Sequence, residues 1–194
     1  MKERLPPHLL LAHAYWKGHL CPGDAAIDAT CGNGYDTLAL AKVLLSHPDS
    51  LLLGFDIQSS ALEKTESLLK QTFTEEELAR VLFQRRCHSE LDQVPLPHPP
   101  KLVVYNLGYL PGADKSVTTM TSSTLSSLKK ATTLLAERGA LSITCYPGHP
   151  EGKKEEEAIV QWAEQLPQDR WQVCHHRWLN RLASPSLLWI RAIS

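Results

Sequence analysis

The ten residues Asp28-Ala29-Thr30-Cys31-Gly32-Asn33-Gly34-Tyr35-Asp36-Thr37 bring two carboxylates, two threonine hydroxyls and two glycines together. Upstream, Ala25-Ala26-Ile27 reads as the apolar end of a strand, and downstream Leu38, Leu40, Ala41, Leu44 and Leu45 recur at helical spacing. The glycines therefore fall where a strand turns into a helix. Without a Cβ, Gly32 and Gly34 allow a tight turn and close approach to a ligand, and the first turn of the helix offers free N–H groups. That is the chemistry of a nucleotide-type cofactor cradle. A dinucleotide fingerprint requires a third glycine three residues after the second, where this chain has Thr37. An acid opening the loop, as Asp28 does, suits instead the cationic amino group of S-adenosylmethionine, which has no pyrophosphate to cradle.

A second acid supports this reading. Leu51-Leu52-Leu53-Gly54-Phe55-Asp56 reads as the next strand, and its carboxylate falls roughly 20 residues beyond Gly34, where dinucleotide folds hold a ribose. A third cluster follows the run Lys101-Leu102-Val103-Val104-Tyr105. Asn106 can accept from an amine while donating elsewhere, Tyr109 offers a face on which a base can stack, and Asp114 and Lys115 bring charge. Open α/β sheets place their chemistry at the carboxyl ends of strands, so this loop is the expected docking place of a substrate amine. The alternative is a Gly/Pro-punctuated loop whose Tyr109 only packs on the domain.

Composition bounds the partners. The chain has 194 residues, 43% hydrophobic and 21% charged, ordinary values that predict one domain over 1–194 with an ample core. No segment approaches the roughly 20 apolar residues that span a bilayer. The N-terminus carries Lys2, Glu3 and Arg4 ahead of Pro6-Pro7 in place of an apolar signal core, and a cytoplasmic location is expected. The five cysteines include no Cys-x-x-Cys pair, which argues for small buried hydrophobes over a zinc site or a disulfide framework. His8, His13 and His19 do not share the i, i+4 face of a helical metal site, and the adjacent His175 and His176 point to opposite faces of a strand. No metal is expected. A formal net charge of −1 provides no global attraction to nucleic acid, so RNA contact requires a local patch. Candidates are Arg85-Arg86, Lys115, Lys153-Lys154, Arg177 and Arg181, each otherwise an ordinary solvated charge.

These groups need a scaffold. Apolar or β-branched runs end at Asp28, Asp56, Arg85, Asn106, Tyr146 and Arg177, and a last run covers Leu187 to Ile190. Helical patterns over Ser60 to Lys70, Thr124 to Glu137 and Glu151 to Gln165 separate most of them. The alternation predicts an α/β fold with a doubly wound, mostly parallel sheet, and the closing strand pair without a helix between predicts one antiparallel strand at an edge. Pro95-Leu96-Pro97-His98-Pro99-Pro100 reads as the connection into the fourth strand.

On these residues the first motif resembles that of Rossmann-like class I methyltransferases. Over almost its full length the chain resembles one family of them, the tRNA 5-aminomethyl-(2-thio)uridine methyltransferases, long labelled rRNA methylases. Asp28-Ala29-Thr30, Gly32-Asn33-Gly34 and Asp36-Thr37 are similar to its cofactor loop, and Gly54-Phe55-Asp56-Ile57-Gln58 to its ribose strand. Asn106-Leu107-Gly108-Tyr109-Leu110-Pro111-Gly112 with Asp114-Lys115 is similar to its most diagnostic segment. Tyr146, Gly148-His149-Pro150 and Gly152-Lys153 are similar to the loop after its fifth strand. Ala113 stands where the family carries glycine, and Asn180 to Pro185 follows the family's tail only in part.

The resemblance implies methyl transfer from S-adenosylmethionine to the exocyclic amine of 5-aminomethyluridine, usually 2-thiolated, at the tRNA wobble position. It implies cofactor-binding roles for Asp28, Thr30, Gly32, Asn33, Gly34, Asp36, Thr37, Asp56, Gln58, His88 and Asn106. Substrate-binding roles fall to Gly108, Tyr109, Leu110, Pro111, Lys115, Tyr146 and His149, and catalytic roles to Asn106, Tyr109, Asp114 and His149. Of these, His149 has the best intrinsic pKa for a base, with positioning or phosphate contact as its alternative. The implied partner is the anticodon arm of tRNA, and a homodimer stays open. The other readings are methylation of a small-molecule amine or of rRNA, and a non-catalytic module that binds S-adenosylmethionine.

Overall fold

Seven short apolar runs pair into one sheet in a computed structural model that describes residues 5–108, 119–181 and 183–193. In chain order the elements are α1 (Pro7–His19), β1 (Ala25–Asp28), α2 (Tyr35–Leu44), β2 (Leu51–Asp56), α3 (Ser59–Lys70), α4 (Glu75–Leu78) and β3 (Val81–Arg85). A 3-10 turn (His88–Gln93) leads to β4 (Leu102–Asn106), α5 (Thr121–Leu134), β5 (Ala140–Cys145), α6 (Pro150–Glu164), β6 (Trp171–His176) and β7 (Ser186–Ala192). The order across the sheet is β3-β2-β1-β4-β5-β7-β6. All pairings are parallel except those of β7, which runs antiparallel between β5 and β6. This is the expected doubly wound α/β arrangement with its antiparallel element at one side.

Beyond β1 the winding reverses, because β2 lies on one side of it and β4 on the other. A crevice opens at such a switch point, past the carboxyl ends of the strands. Asp28 ends β1 and Asn106 ends β4, with Asp28 in register with Val104. The central strands are buried on both faces. Ile27, Leu53, Val103, Tyr105 and Ile143 pack with residues of α5 and α6, while Ala26, Leu52, Leu102 and Val104 pack with residues of α1, α2 and α3.

Strand ends at Asp28, Asp56, Arg85 and Asn106 fall where the sequence places them, and those expected at Tyr146 and Arg177 come one residue earlier. The helix expected over Thr124 to Glu137 runs over Thr121–Leu134 instead. α1 is not among the helices expected from the sequence. Pro7 occupies its first turn, where a missing N–H costs nothing, and His8, Ala12 and Trp16 recur every four residues on its buried side. The Trp16 indole donates to Ser142 Oγ at 2.8 Å and pins the helix to β5.

Cys31 and Cys145 are buried, but Cys21 and Cys174 are exposed, because one lies between α1 and β1 and the other on edge strand β6. His175 and His176 do point to opposite faces: His175 pairs with Ser186 Oγ at 3.0 Å and sits 3.4 Å from Glu156 of α6, whereas His176 pairs with Tyr15 of α1 at 3.0 Å. Among the described residues no helix is long and apolar enough to cross a membrane.

Candidate active site at the switch point

β1 delivers Asp28, fully buried, to the floor of the crevice. Its carboxylate accepts from Thr37 Oγ1 at 2.6 Å and from the Thr30 backbone N–H at 3.1 Å. The loop between them folds tightly, with Cys31 N–H donating to the Phe55 carbonyl at 2.9 Å and Gly34 N–H to the Cys31 carbonyl at 2.8 Å. Gly34 has φ +83°, and a Cβ there would lie 2.8 Å from the Thr65 backbone, so both conformation and space exclude a side chain. A Cβ on Gly54 would meet Cys31 Sγ at 2.6 Å. The bare β2 backbone thus lets the loop seat on the strand. Asp56 accepts from Gly32 N–H and Gln58 N–H, each at 2.9 Å, which orients its carboxylate and leaves lone pairs for a diol.

Asp36 opens α2 and joins this loop to two distant segments. It accepts from His13 Nε2 of α1 at 2.7 Å and from Asn106 Nδ2 of β4 at 2.7 Å. The Asn106 backbone N–H donates to Thr30 Oγ1 at 2.8 Å. With its amide N–H₂ aimed at Asp36, Asn106 keeps its carbonyl oxygen as an acceptor. Burial first, and the Asp36 carboxylate second, push Asp28 up to about 7. A cation brought into the crevice would favour its charged form.

Tyr146, just past β5, pairs with His8 Nε2 of α1 at 3.2 Å, their rings edge-to-face. Burial and Asp36 raise the phenol well above its ordinary value, while burial lowers His8 below that of a free imidazole. Both are neutral at pH 7. His149 is the N-cap of α6, and its Nδ1 accepts from Gly152 N–H at 3.1 Å. Nδ1 therefore carries no proton in this arrangement, and the ring holds the helix start in place. A Cβ on Gly152 would run into the Tyr146 carbonyl, so the first turn of α6 rests directly on the loop after β5.

His88 lies past β3, on the sheet edge that also carries Asp56. It is buried edge-to-face against Tyr105, and burial lowers it to about 4. Among the described residues its buried Nδ1 has no hydrogen-bond partner, a costly state that a ligand's polar group would relieve. Gly108, at φ +117°, follows β4 and donates to Thr119 Oγ1 at 3.0 Å. Thr119 in turn donates to Glu155 of α6 at 2.8 Å. Tyr109, Leu110, Pro111, Ala113, Asp114 and Lys115 lie outside the described residues.

The structure gathers Asp28, Thr30, Gly32, Asn33, Gly34, Asp36, Thr37, Asp56, Gln58, Asn106 and Tyr146 around one crevice. Thr30, Thr37 and Asp36 are already engaged within the protein, as scaffolding of the loop. His8 and His13 join the site without having been anticipated. Their signal was the four-residue recurrence of His8, Ala12 and Trp16 behind Pro7, which marks a helix with one buried side.

Residues 52–192 match the family described as "Putative rRNA methylase". The chain is 40% identical over 186 residues, 93% of this chain and 67% of the relative, to the chloroplastic tRNA (mnm(5)s(2)U34)-methyltransferase of Arabidopsis thaliana. It superposes on a protein of Clostridium thermocellum described as a "putative rRNA-methylase" with a TM-score of 0.90 at 31% identity, covering 98% of this chain and 100% of that one. A protein of Streptococcus mutans described as a "putative methyltransferase", solved in complex with SAH, superposes with a TM-score of 0.85 at 30% identity over the same shares, 98% and 100%. A doubly wound sheet, an acid at the end of each of the first two strands and these relatives agree: the chain belongs to the rRNA methylase family of Rossmann-like methyltransferases, whose cofactor is S-adenosylmethionine.

Proposed function

We propose that this protein methylates the exocyclic amine of 5-aminomethyl-(2-thio)uridine at the wobble position of tRNA, within the anticodon arm, to give the 5-methylaminomethyl form, with residues 1–194 acting as one catalytic domain. The observation that carries the reading is the 2.7 Å tie between Asn106 Nδ2 and Asp36. It leaves an amide oxygen at the switch point as the acceptor for an amine N–H. The nucleoside in the name of the Arabidopsis thaliana relative supports the choice of amine.

When bound, S-adenosylmethionine supplies a methyl group on a positively charged sulfur, which an unprotonated amine takes by in-line displacement while the sulfur leaves as a neutral thioether. Asp56, with Gln58 and the Gly32 N–H around it, holds the ribose. Asp28, Thr30, Asn33, Gly34 and Thr37 shape the methionine side, and Asp28 in its charged form attracts the amino group. His88 offers its unpartnered Nδ1 to the same cofactor.

Asn106 Oδ1 accepts one amine N–H and so aims the nitrogen lone pair at the methyl carbon, the alignment that makes such a reaction effectively unimolecular. Alkylamines are mostly protonated near pH 7, by analogy with lysine. The buried, low-dielectric crevice favours their neutral form, with Asp36 and Tyr146 beside Asn106 as the groups that face the departing proton. Gly108, Tyr109, Leu110, Pro111, Asp114 and Lys115 form the substrate loop, and His149 holds that side of the site by capping α6.

Nucleoside mass spectrometry of tRNA from cells with and without the protein tests the function. Loss of 5-methylaminomethyluridine with accumulation of the 5-aminomethyl form is expected. Unchanged nucleosides, together with turnover by the purified protein on a free amine alone, would replace this reading with the small-molecule one.

A further inference from the structure

β6 ends at His176, and the chain turns back into β7 through a segment rich in cations and exposed apolar surface. The turn is ordered by its own backbone: Arg181 N–H donates to the Trp178 carbonyl at 3.1 Å, and Ser184 Oγ to the Arg181 carbonyl at 3.1 Å. Ala183 closes it at φ +53°, a conformation uncommon for a residue with a side chain. The turn also leans on the loop after β5, since a Cβ on Gly148 would be 3.5 Å from the Ala183 carbonyl.

Two cavities share Arg177 and Trp178 as a common wall. The larger, of about 590 Å³, also takes in Pro147, Lys153 and Arg181. The smaller, of about 120 Å³, takes in His8, Leu11 and His176. Pro147 directly follows Tyr146, and His8 is the residue whose imidazole meets the Tyr146 hydroxyl. The Arg177–Trp178 wall therefore stands where both cavities approach the substrate side of the site.

The chemistry of this wall is distinctive. Trp178 is 39% exposed and Leu179 is 99% exposed. Neither Arg177 nor Arg181 has a carboxylate within ion-pair distance among the described residues, and Lys153 has only Glu157, at 3.9 Å. The other acid of the groove, Glu156, is engaged by Ser186 Oγ and by His175 at 3.4 Å, and feels the Arg177 charge only beyond ion-pair distance. Cations without a close carboxylate beside a partly exposed aromatic are what single-stranded RNA uses: phosphates meet the cations, and unstacked bases stack on the ring. Because the whole chain carries a formal charge of −1, attraction to RNA must come from such a patch.

We infer that Arg177, Trp178 and Arg181, with Lys153 opposite, hold the RNA strand that flanks the target nucleotide. The inference rests on the tRNA reading of the site, because an anticodon loop presents its bases single-stranded.

Fluorescence anisotropy with an anticodon stem-loop RNA over a potassium chloride series, alongside tRNA methylation kinetics, tests it. Trp178→Ala should weaken binding roughly 10-fold by loss of one stacked base. Arg177→Glu with Arg181→Glu should weaken it more and lower the salt slope by about two. In both variants KM for tRNA should rise while the dissociation constant for S-adenosylmethionine, measured by calorimetry, stays within about twofold of wild type. Arg181→Glu alone changes only an exposed side chain and covers the case in which the double variant misfolds. A wild type that methylates tRNA while folded Trp178→Ala and Arg181→Glu match its RNA affinity and KM would overturn the inference alone. A wild type that neither binds nor methylates tRNA overturns the functional reading and this surface together.

Discussion

On the proposed cofactor side of the crevice, hydrogen bonds close within one turn or onto the adjacent strand: Thr30 and Thr37 both bond to Asp28, Gln58 bonds to Asp56, and Gly32 reaches Asp56 of neighbouring β2. On the proposed substrate side the partners come from separate elements: α1, α2, β4 and the loop after β5. Asn106 meets Asp36, Asn106 N–H meets Thr30, His13 meets Asp36, and Tyr146 meets His8 across 138 positions. The first half is a local strand–turn–helix that each of its residues helps to fold. The second exists only when α1, β4 and the loop after β5 have docked on the sheet. Damage to the first half should therefore appear as lost cofactor affinity. Damage to the second should appear as lost turnover with cofactor affinity retained.

The largest effect is expected at Gly34. Gly34→Val drives a branched side chain into the Thr65 backbone at a positive φ, and cofactor binding should be abolished in calorimetry while circular dichroism still reports a folded protein. Normal binding by that variant would mean that the loop is an ordinary turn.

Asn106→Ala removes the acceptor for the amine and frees Asp36. A misaligned nucleophile costs on the order of 100-fold in kcat, with the dissociation constant for S-adenosylmethionine changed far less, as single-turnover methylation and calorimetry would show. If affinity falls as steeply as kcat, the two halves are not separable in the way the hydrogen bonds indicate.

Asp56→Ala should give the opposite signature. Each charge-assisted bond lost is worth about 1.5–3 kcal/mol, so cofactor affinity should drop by at least roughly 10-fold while kcat at saturating cofactor is largely kept. An unchanged isotherm would remove Asp56 from the ribose site. A smaller effect is expected at His13, which touches no reacting atom and acts through Asp36. His13→Ala should lower kcat about 10-fold by loosening Asn106, and His13→Gln, which can still donate to Asp36, should restore most of it. Failure of glutamine to rescue would make His13 a packing residue of α1.

The smallest signal is a pH dependence. Asp28 has a folded-state pKa of about 7 against an ordinary value of 3.8, so the folded state binds the extra proton. Its contribution to stability is greatest below pH 4, declines as pH rises through 7, and is flat above. Asp28→Asn should therefore stabilise the cofactor-free protein by up to a few kcal/mol at pH 8 relative to pH 4, read as the difference between the urea titrations of variant and wild type. That difference isolates Asp28 from His88, whose lowered pKa opposes it over about pH 4 to 6.5. The same substitution should abolish the rise in cofactor affinity with pH through 7. Equal pH profiles for variant and wild type would show that Asp28 is already charged.

By itself the sequence determined the strand–turn–helix at Asp28 to Thr37, the acid at the end of β2, the strand carrying Asn106 and the order of elements that makes the sheet doubly wound. These rest on short-range physics: glycines where the backbone demands them, apolar runs of strand length, and acids at strand ends. Tertiary structure alone decided that α1 closes over the site, because only packing against Ser142 and β5 brings His8 and His13 to residues dozens of positions away. It also decided that His149 caps α6 through Nδ1 and that Asp36 faces inward as the joint of two segments rather than outward as an acid in the first turn of α2. Likewise it set Arg177, Arg181 and Lys153 apart from Arg85 and Arg86 by gathering them around one groove with Trp178 and Pro147. A residue's type fixes the chemistry it can offer, but which groups meet depends on long-range closure of the chain, and no local spacing records that.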